Sequence, residues 1–421
     1  MRQTKLSEIK SKNKFTPLMA TFRGGKKEPF HNWYPLIEGY SPEFVKIILN
    51  GYMPDSKNVF DPFGGTVTTG FSSIELNKNA FFCEINPFLQ FLANIKGDVR
   101  LLDNADRKAL HQELVNLSKI FPKSIMNFEK DTSLIKSYKN VFNKSQFFGK
   151  KPLDEILSAK SFINQLKGES GIISNLLCVA VLSSLIPCSF TKRQGDLRYK
   201  TPKELERGLP EFTTEVQKRL IEIAKDILHE NARIKQKPVL VCENAKDLDK
   251  IPFLNIDALI TSPPYINGTN YFRNTKLELW FLECLRTKND LKNYRKNSLT
   301  AGINDVQDNY ETPDIDIIKD VVTKLERCAY DVRIPKMISG YFSELQDIFK
   351  KITNHLCKNS KIAIDIGDSR YAGIHVPTDL MLIEILKDIG FRNPKTIKLR
   401  ERFSKDKTPL RQVLLLFEWS G

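Results

Sequence analysis

Residues 257–265 read DALITSPPY, a short apolar run that leads into two prolines and a tyrosine. The run is typical of a buried β-strand, and open α/β sheets bind ligands at the carboxyl ends of such strands. Two consecutive prolines keep the backbone extended and lack N–H groups, which leaves fixed carbonyl acceptors beside the Ser262 hydroxyl. This Pro-Pro tip (residues 262–265) suits a planar ring that carries an exocyclic amine, with Tyr265 as a flat apolar surface. A strand that runs into a turn with a packed tyrosine would have the same sequence.

A glycine-rich loop, DPFGGTVTTG at residues 61–70, lies about two hundred residues upstream and follows a predicted strand at 58–60. Glycines and small hydroxyl residues between a strand and a helix let a ligand approach the backbone near a helix N-terminus. The next predicted strand, 80–83, ends at Glu84, where an acid can accept hydrogen bonds from ribose hydroxyls. The unit therefore predicts a site for a molecule that contains a nucleoside. NAD would fit this geometry, although the sequence lacks the GxGxxG fingerprint.

The rest of the chain predicts a doubly wound α/β sheet that is interrupted by helices. Seven strands are predicted, at 58–60, 80–83, 238–242, 257–260, 361–366, 395–399 and 413–418. Most are separated by helices, and the last two predict an antiparallel hairpin. Residues 101–235 instead predict helices, at 110–120, 153–166, 172–186 and 213–230. We interpret this block as an insertion into a single sheet domain formed by residues 1–100 and 236–421.

Capping residues predict where three further helices begin or end. Ser41 and Pro42 are suited to open one helix, and Thr312 and Pro313 to open another. A third helix is predicted at 378–389, where the glycine that follows would stop it.

The charge of the chain favours a polyanionic partner. Sixty-five lysines and arginines against 50 acidic residues give a formal net charge of +15, and nucleic acid is the simplest partner for such a surplus. Residues 191–200, TKRQGDLRYK, predict a basic loop suited to phosphate contacts and stacking, although a solvated charge run would read the same way. The candidate nucleic-acid-binding residues are Lys192, Arg193, Arg198, Tyr199 and Lys200, together with Arg273 after the Pro-Pro tip.

Several classes of protein are disfavoured. The seven cysteines are scattered without a CxxC pair or a Cys/His cluster, so neither a disulfide framework nor a metal site is predicted. The N-terminus lacks the apolar core of a signal peptide. The most apolar run, residues 172–186, is shorter than the ~20 residues that span a bilayer. We therefore expect a cytoplasmic protein that does not bind membranes.

Together these residues resemble the S-adenosylmethionine-dependent DNA amino-methyltransferases. Residues 61–69 are similar to the DPFxGxGTT cofactor loop of that family, and residues 262–265 to its (D/N/S)PP(Y/F/W) catalytic tetrapeptide. The resemblance covers residues 31–100 and 236–418. It implies a Rossmann-like methyltransferase sheet with a helical insertion that is a candidate DNA-binding region. It also implies S-adenosylmethionine as cofactor, double-stranded DNA as substrate and, within a restriction-modification system, a cognate restriction endonuclease. The oligomeric state is left open.

The resemblance assigns roles to individual residues. The catalytic residues would be Ser262, Pro263, Pro264 and Tyr265. The cofactor-binding residues would be Tyr34, Asp61, Pro62, Phe63, Gly65, Thr68, Thr69, Glu84, Ile85 and Asn244. In this assignment Glu84 binds the ribose, Ile85 packs on adenine and Asn244 lies near the adenine amine. Tyr34 or Trp33 would line the methionine end of the site, although a core aromatic is an equal alternative.

The chain departs from the family at two of these positions. Val67 stands where the family has its second glycine, so we expect a turn built without a positive φ there. Asn244 replaces the usual aspartate but keeps a carbonyl acceptor.

The implied reaction is methyl transfer to a flipped base. Tyr265 would stack on the base, while Ser262 and the Pro263 carbonyl would accept hydrogen bonds from its amine and aim the nitrogen at the sulfonium methyl. Serine at the first position of the tetrapeptide resembles the cytosine-N4 group, and adenine-N6 is the alternative.

Three further interpretations are open. An RNA guanine-N2 methyltransferase has a similar tip, and a nucleic-acid-binding module could keep the fold after losing the cofactor through Val67. Cys188 follows a proline, as does the nucleophile of cytosine-C5 enzymes, but the cofactor loop of those enzymes begins DLF rather than DPF.

Overall fold

The computed structural model describes residues 15–36, 38–229, 233–266, 271–307, 310–404 and 406–421. Residues 1–14, which include the segment compared with a signal peptide, lie outside this part of the chain, as does residue 230, the predicted end of an insertion helix. The strands are β1 (Asn58–Asp61), β2 (Asn79–Cys83), β3 (Thr191–Gln194), β4 (Asp196–Tyr199), β5 (Val239–Cys242), β6 (Ile256–Thr261), β7 (Leu356–Gly367), β8 (Ser369–Tyr371), β9 (Ile374–Val376), β10 (Phe391–Phe403) and β11 (Pro409–Trp419).

The α-helices alternate with these strands and also form the insertion. They are α1 (Pro42–Tyr52), α2 (Thr68–Glu75), α3 (Pro87–Leu101), α4 (Asn104–Ser124), α5 (Thr132–Phe142), α6 (Lys150–Glu169), α7 (Gly171–Leu185), α8 (Pro202–Leu205), α9 (Phe212–Ile227), α10 (Tyr271–Asn274), α11 (Lys276–Phe281), α12 (Lys288–Asn297), α13 (Asp316–Cys328), α14 (Arg333–Thr353) and α15 (Thr378–Ile389). Among the described residues, no helix is both long enough and apolar enough to cross a membrane.

A seven-stranded sheet in the order β10-β11-β7-β6-β1-β2-β5 forms the centre of the molecule. The strands from β7 to β5 in this order pair in parallel, while β11 pairs antiparallel with both β7 and β10. All seven predicted strands belong to this sheet, and the predicted final hairpin is confirmed. The sheet and its helices form a doubly wound, Rossmann-like α/β fold.

Alternate residues of the central strands face opposite layers of helices. Val59 of β1 and Ala258 of β6 pack with α1 on one face. Phe60 and Leu259, the next residues along the same strands, pack with α14 and α15 on the other face. Because both faces are covered, the middle residues of these strands are apolar on both faces, as expected for a parallel sheet.

The insertion helices share a hydrophobic core with one side of the sheet domain. Helix α7 is buried along nearly its whole length and packs between α6 and α9. The same core continues into Phe88 of α3 and Trp280 of α11, which come from outside the insertion.

Two predictions of local structure were wrong. Residues 191–200 form the β3–β4 hairpin rather than a loop, because Gly195, with a φ of +72°, allows a tight reversal between Gln194 and Asp196. The helix predicted to open at Thr312 begins at Asp316 instead. The Thr312 hydroxyl bonds to Ser339 of α14, 2.8 Å away, and so does not cap a helix.

The other capping predictions are confirmed. The Ser41 hydroxyl accepts a hydrogen bond from the Phe44 N–H at the start of α1, with Pro42 in the first turn. Helix α15 ends at Gly390, whose φ of +112° is accessible to glycine without strain.

Candidate active site

The glycine-rich loop and the Pro-Pro tip meet at one edge of the sheet. Strands β1 and β6 are parallel neighbours, so the two segments leave the sheet side by side. The Thr261 hydroxyl donates to Asp61 Oδ1 over 2.6 Å and joins the segments directly. Gly65, Glu84, Ser262 and Pro264 all line the same cavity. Residues that lie about two hundred positions apart in the sequence therefore face one another across a single site.

Asp61 holds the loop in place from beneath the cavity. Its Oδ1 also accepts from the Phe63 N–H over 3.0 Å, and its Oδ2 accepts from the Tyr40 hydroxyl over 3.3 Å. Burial raises the pKa of Asp61 to about 6, while the hydrogen bond from Thr261 opposes that rise. The Thr69 hydroxyl is likewise paired with Tyr40. Both motif residues are buried, and in this structure they shape the loop rather than line its surface.

Val67 adopts the left-handed conformation, with φ at 59° and ψ at 37°. The expectation of a turn without a positive φ was therefore wrong. A left-handed residue that carries a Cβ costs roughly 1–2 kcal/mol. The Val67 side chain is completely buried beside Phe71 and Ile74, and this packing offsets part of that cost.

Glu84 is the buried acid of the site. Its Oε2 accepts from the Gly65 N–H over 2.7 Å, and its Oε1 accepts from the Asn86 N–H over 2.8 Å. Burial raises the pKa of Glu84 to about 7, although these two backbone hydrogen bonds lower it. A carboxylate oxygen can accept more than one hydrogen bond, so both oxygens can also bind hydroxyl groups in the cavity.

Apolar and polar groups line separate parts of the cavity. Phe63 and Ile85 supply apolar surface next to Glu84. Asn244 lies after β5, where its Oδ1 accepts from the Lys246 N–H over 3.1 Å and its Nδ2 donates to the Asn297 carbonyl over 2.9 Å. This arrangement can hold a flat ring between apolar side chains, with polar groups at the edge of the ring.

Tyr265 is almost fully buried next to the cavity, with 2% of its surface exposed. Its hydroxyl donates to Asp365 Oδ2 over 2.9 Å, and the Arg402 guanidinium lies over its ring, 5.0 Å from the centroid. Asp365 also accepts from Gln412 over 2.8 Å, and burial raises the pKa of Asp365 to about 6. The tip thus presents Ser262 and Pro264 to the cavity, while Pro263 and the tyrosine are buried.

Sequence comparison shows that the chain is similar to Type II methyltransferases. M.BsoBI of Geobacillus stearothermophilus is 23% identical over 442 residues, which cover 92% of this chain and 84% of the relative. The M.AvaI proteins of Nostoc sp. (strain PCC 7120 / SAG 25.82 / UTEX 2576) and Anabaena variabilis are each 24% identical over 414 residues, which cover 90% of this chain and 83% of the relative.

No family model and no solved structure matches the chain. The likeness to the Type II methyltransferases spans the helical insertion as well as the sheet domain. It does not distinguish cytosine-N4 from adenine-N6 enzymes.

The aromatic residues proposed for the methionine end of the site pack in the core. Tyr34 is 1% exposed, meets the Phe88 ring edge-on at 4.5 Å and accepts a hydrogen bond from Arg193. The Trp33 indole N–H donates to Asp226 over 2.9 Å. The residues of this segment that line the cavity are Leu36, Glu38, Gly39 and Tyr40. Sequence analysis identified the correct segment but selected Trp33 and Tyr34 within it. Tertiary packing buries these two side chains in the core, which the local sequence does not reveal.

The basic candidates on the β3–β4 hairpin have partners within the protein. Lys192 and Arg198 both pair with Glu204, at 3.0 and 2.8 Å, and Arg273 pairs with Asp196 at 2.9 Å. Lys200 donates to the carbonyls of Pro187 and Ser189. The ring of Tyr199 is half exposed and stacks on Phe147, with the ring centroids 5.8 Å apart.

Arg193 is the most deeply buried of these candidates. It forms an ion pair with Glu278 at 2.5 Å and donates to the Asn274 carbonyl over 3.0 Å. Glu278 is completely buried. In this structure Arg193 therefore connects the hairpin to α11.

Other cavity residues were missed by sequence analysis. They include Leu36, Glu38, Tyr40, Glu243, Lys246, Tyr271, Ser298 and Leu299. Lys246 follows Asn244 closely in sequence and pairs with Glu344 at 2.5 Å, whereas Tyr271 donates to Glu38. Proximity to a strand end could have suggested Lys246, but no local pattern predicts the residues contributed by distant loops.

Cys188 is buried away from the cavity, and burial raises the pKa of its thiol to about 12. A thiol in this state is a poor nucleophile at neutral pH, which disfavours the cytosine-C5 interpretation.

Proposed function

We propose that the protein is a site-specific DNA methyltransferase that transfers a methyl group from S-adenosylmethionine to the exocyclic N4 amine of a flipped cytosine. The observation that carries this proposal is the shared cavity. The glycine-rich loop, Glu84 and the Pro-Pro tip surround one space, and the Thr261–Asp61 hydrogen bond joins its two halves. Similarity to Type II methyltransferases along most of the chain supports the same activity. A restriction-modification system, with a cognate endonuclease, is the corresponding setting.

The residues around the cavity fit the cofactor. Glu84 would accept hydrogen bonds from the ribose hydroxyls, since both of its oxygens keep acceptor capacity beside Gly65. Phe63 and Ile85 would enclose the adenine, with Asn244 at its polar edge. Pro62 and Thr68 line the loop next to the helix N-terminus of α2. The bound cofactor supplies an electrophilic methyl group on a sulfonium.

The Pro-Pro tip would position the nucleophile. The Ser262 hydroxyl and the Pro263 carbonyl would accept hydrogen bonds from the amine of the target base, which orients its nitrogen toward the methyl group. Neither a covalent enzyme intermediate nor an activating metal is required for this transfer. The proline carbonyl is rigidly placed, because both neighbouring peptide units are restricted by the rings.

Tyr265 would stack on the flipped base, and this role requires the Arg402 side chain to leave the face of the tyrosine ring. The Arg402 guanidinium covers the ring in this structure and is held by the Asp368 carbonyl, 2.9 Å away. Arg402 would have to move before a base could occupy that face. The Tyr265 hydroxyl would remain fixed by Asp365, which keeps the ring oriented.

The serine at position 262 favours cytosine over adenine as the target. Serine at the first position of the tetrapeptide resembles the cytosine-N4 group, and its neutral hydroxyl can share a hydrogen bond with the amine of the target base. Adenine-N6 methylation is the second candidate, and it rests on the same site.

The test is to incubate the protein with radiolabelled S-adenosylmethionine and plasmid DNA, and then to map modified bases by sequencing. We expect N4-methylcytosine within one recurring sequence. N6-methyladenine would support the second candidate, while label only in an added RNA substrate would contradict both. Calorimetric titration without any S-adenosylmethionine binding would favour a non-catalytic module.

A matched pair of variants controls this test. Tyr265→Ala removes the stacking ring, whereas Tyr330→Ala removes an exposed ring that is 76% accessible. We expect methylation to fall only in the Tyr265 variant, with cofactor binding retained in both.

A further inference from the structure

A second and larger cavity, of about 1450 Å³, opens beside the candidate active site. We call it the basic groove and define it by the residues 21–28, 191–195, 207–209 and 222–226 along its walls. Leu36, Glu38 and Gly39 line both the basic groove and the active-site cavity. A molecule bound in the groove is therefore adjacent to the site of methyl transfer.

The groove is lined mainly by cations. Ten lysine and arginine residues line it, against five acidic residues: Arg23, Lys26, Lys27, Lys192, Arg193, Lys200, Arg207, Arg219, Lys225 and Arg400 against Glu28, Glu38, Glu204, Glu222 and Asp226. An excess of one sign in a concave surface focuses the electrostatic potential and attracts a polyanion.

Three of the acidic side chains already have partners within the protein. Glu204 pairs with Lys192 and Arg198, and Glu222 pairs with Arg219 at 3.0 Å. Asp226 accepts hydrogen bonds from the Phe30 and Trp33 N–H groups. The charges of Glu204 and Glu222 are therefore balanced by the cations that they contact, whereas Asp226 is stabilised by neutral donors and keeps its charge.

Five of the exposed cations that line the groove form no ion pair within the described ranges. Arg23, Lys26 and Lys27 come from the turn around the 3₁₀ helix Phe22–Gly25. Arg207 comes from the segment after α8, and Lys225 from α9. Exposed cations that several segments contribute to one groove suit a ligand that carries a row of phosphates, as a nucleic-acid backbone does.

One hydrogen-bonded chain connects the groove with the catalytic tip. Arg400 lines the groove and donates to Gln412 over 2.6 Å. Gln412 donates to Asp365, which accepts the Tyr265 hydroxyl. The groove is therefore in structural contact with the ring that would receive the target base.

We propose that the basic groove binds the backbone of duplex DNA, with phosphates at Arg23, Lys26 and Lys27 and at Arg207. This proposal rests on the proposed function and names the surface on which its substrate lies. It places the phosphate contacts mainly outside the β3–β4 hairpin, whose basic residues have partners within the protein. Bound there, the duplex presents its target base next to the Pro-Pro tip.

The experiment compares two triple variants of the full chain. Arg23→Ala/Lys26→Ala/Lys27→Ala removes three charges from the groove, and Lys108→Ala/Lys119→Ala/Lys123→Ala removes three exposed charges from α4, away from the groove. Binding to a fluorescent 30-base-pair duplex is measured by anisotropy between roughly 50 and 200 mM salt. We expect the groove variant to reduce the slope of log K against log salt by about 2 to 3, with little change in the α4 variant.

Arg207→Ala tests the contribution of the segment after α8 and is expected to reduce the slope by about 1. Equal losses in both triple variants, or no loss in the groove variant, would overturn the proposal. Displacement of the duplex by poly-glutamate as effectively as by unlabelled DNA would indicate an acidic-polypeptide site and would also overturn it.

Calorimetric titration with S-adenosylmethionine and thermal unfolding verify that the variants keep the fold and the cofactor site. The two proposals can fail separately. DNA binding through the groove without any methylation would support the groove proposal and contradict the proposed function. Normal methylation after the triple substitution would support the proposed function and contradict the groove proposal.

Discussion

Glu84 is the residue whose ionisation should control cofactor binding. Its carboxyl is buried in the cavity wall, and burial raises its pKa to about 7. Ribose hydroxyls that donate to the carboxylate would favour the ionised form, so a bound cofactor lowers this pKa. Binding of S-adenosylmethionine should then release a proton from Glu84 when the pH is below 7, and no proton when the pH is well above 7.

We expect the dissociation constant of S-adenosylmethionine to rise roughly fourfold as the pH falls from about 8.5 to 6.5. The measurement is calorimetric titration across this range. Glu84→Gln should bind more weakly and lose the pH dependence. An identical pH dependence in the glutamine variant would assign the effect to another group and refute the ribose role.

Val67 provides a second test at the level of one residue, because it holds a φ of 59° that normally favours glycine. Val67→Ala keeps the Cβ that disfavours this conformation and loses buried methyl groups, whereas Val67→Gly loses both. We expect the glycine variant to be more stable than the alanine variant by about 1 kcal/mol, the reverse of the usual order. Urea unfolding measures this difference, and a more stable alanine variant would argue against a left-handed residue 67.

At the level of elements, the β3–β4 hairpin is attached to α11 by one buried ion pair. Glu278 has no exposed surface, burial raises its pKa, and the Arg193 guanidinium beside it opposes that rise. Removing one partner of such a pair leaves a buried charge without compensation.

Arg193→Ala should therefore destabilise the protein by about 3–5 kcal/mol, measured by urea unfolding. Arg193→Ala/Glu278→Gln should recover part of this loss, because a neutral amide tolerates burial better than a carboxylate. Arg198→Ala, on the exposed side of the same hairpin, is the control and should cost much less. Equal losses in the two single variants would mean that the buried pair has no special role.

At the level of the whole molecule, the helical insertion and the sheet domain are joined through a common core. Phe88 of α3 and Trp280 of α11 pack in the same cluster as the buried face of α7. The helices between β2 and β5 therefore have an apolar surface that is continuous with that of the sheet domain.

Replacement of residues 102–233 by a short flexible linker should expose this surface and give an aggregated or unfolded protein. Gel filtration and circular dichroism measure the outcome. The same linker inserted into the intact chain within the exposed turn at 143–146 is the control and should leave the fold unchanged. A monomeric, folded excision product would show that the sheet domain is independent.

Local patterns in the amino-acid chain were sufficient for the seven strands, the final hairpin and the two motif segments. These features depend on short-range properties: apolar runs, prolines that restrict their neighbours and glycines at turns. The adjacency of the two motifs also followed, because parallel strands place their carboxyl ends at one edge of the sheet.

Contacts between distant segments determined the remaining features. From the sequence alone, Arg193 is predicted to be an available cation, but in the folded protein it pairs with Glu278. Tyr34 is predicted to line the cavity, but Phe88 and Arg193 bury it. The basic groove is formed by segments that are far apart in the sequence, among them the 21–28 turn and Arg207. Burial and charge pairing depend on which side chains meet in space, and for these residues the partners are far apart in the chain.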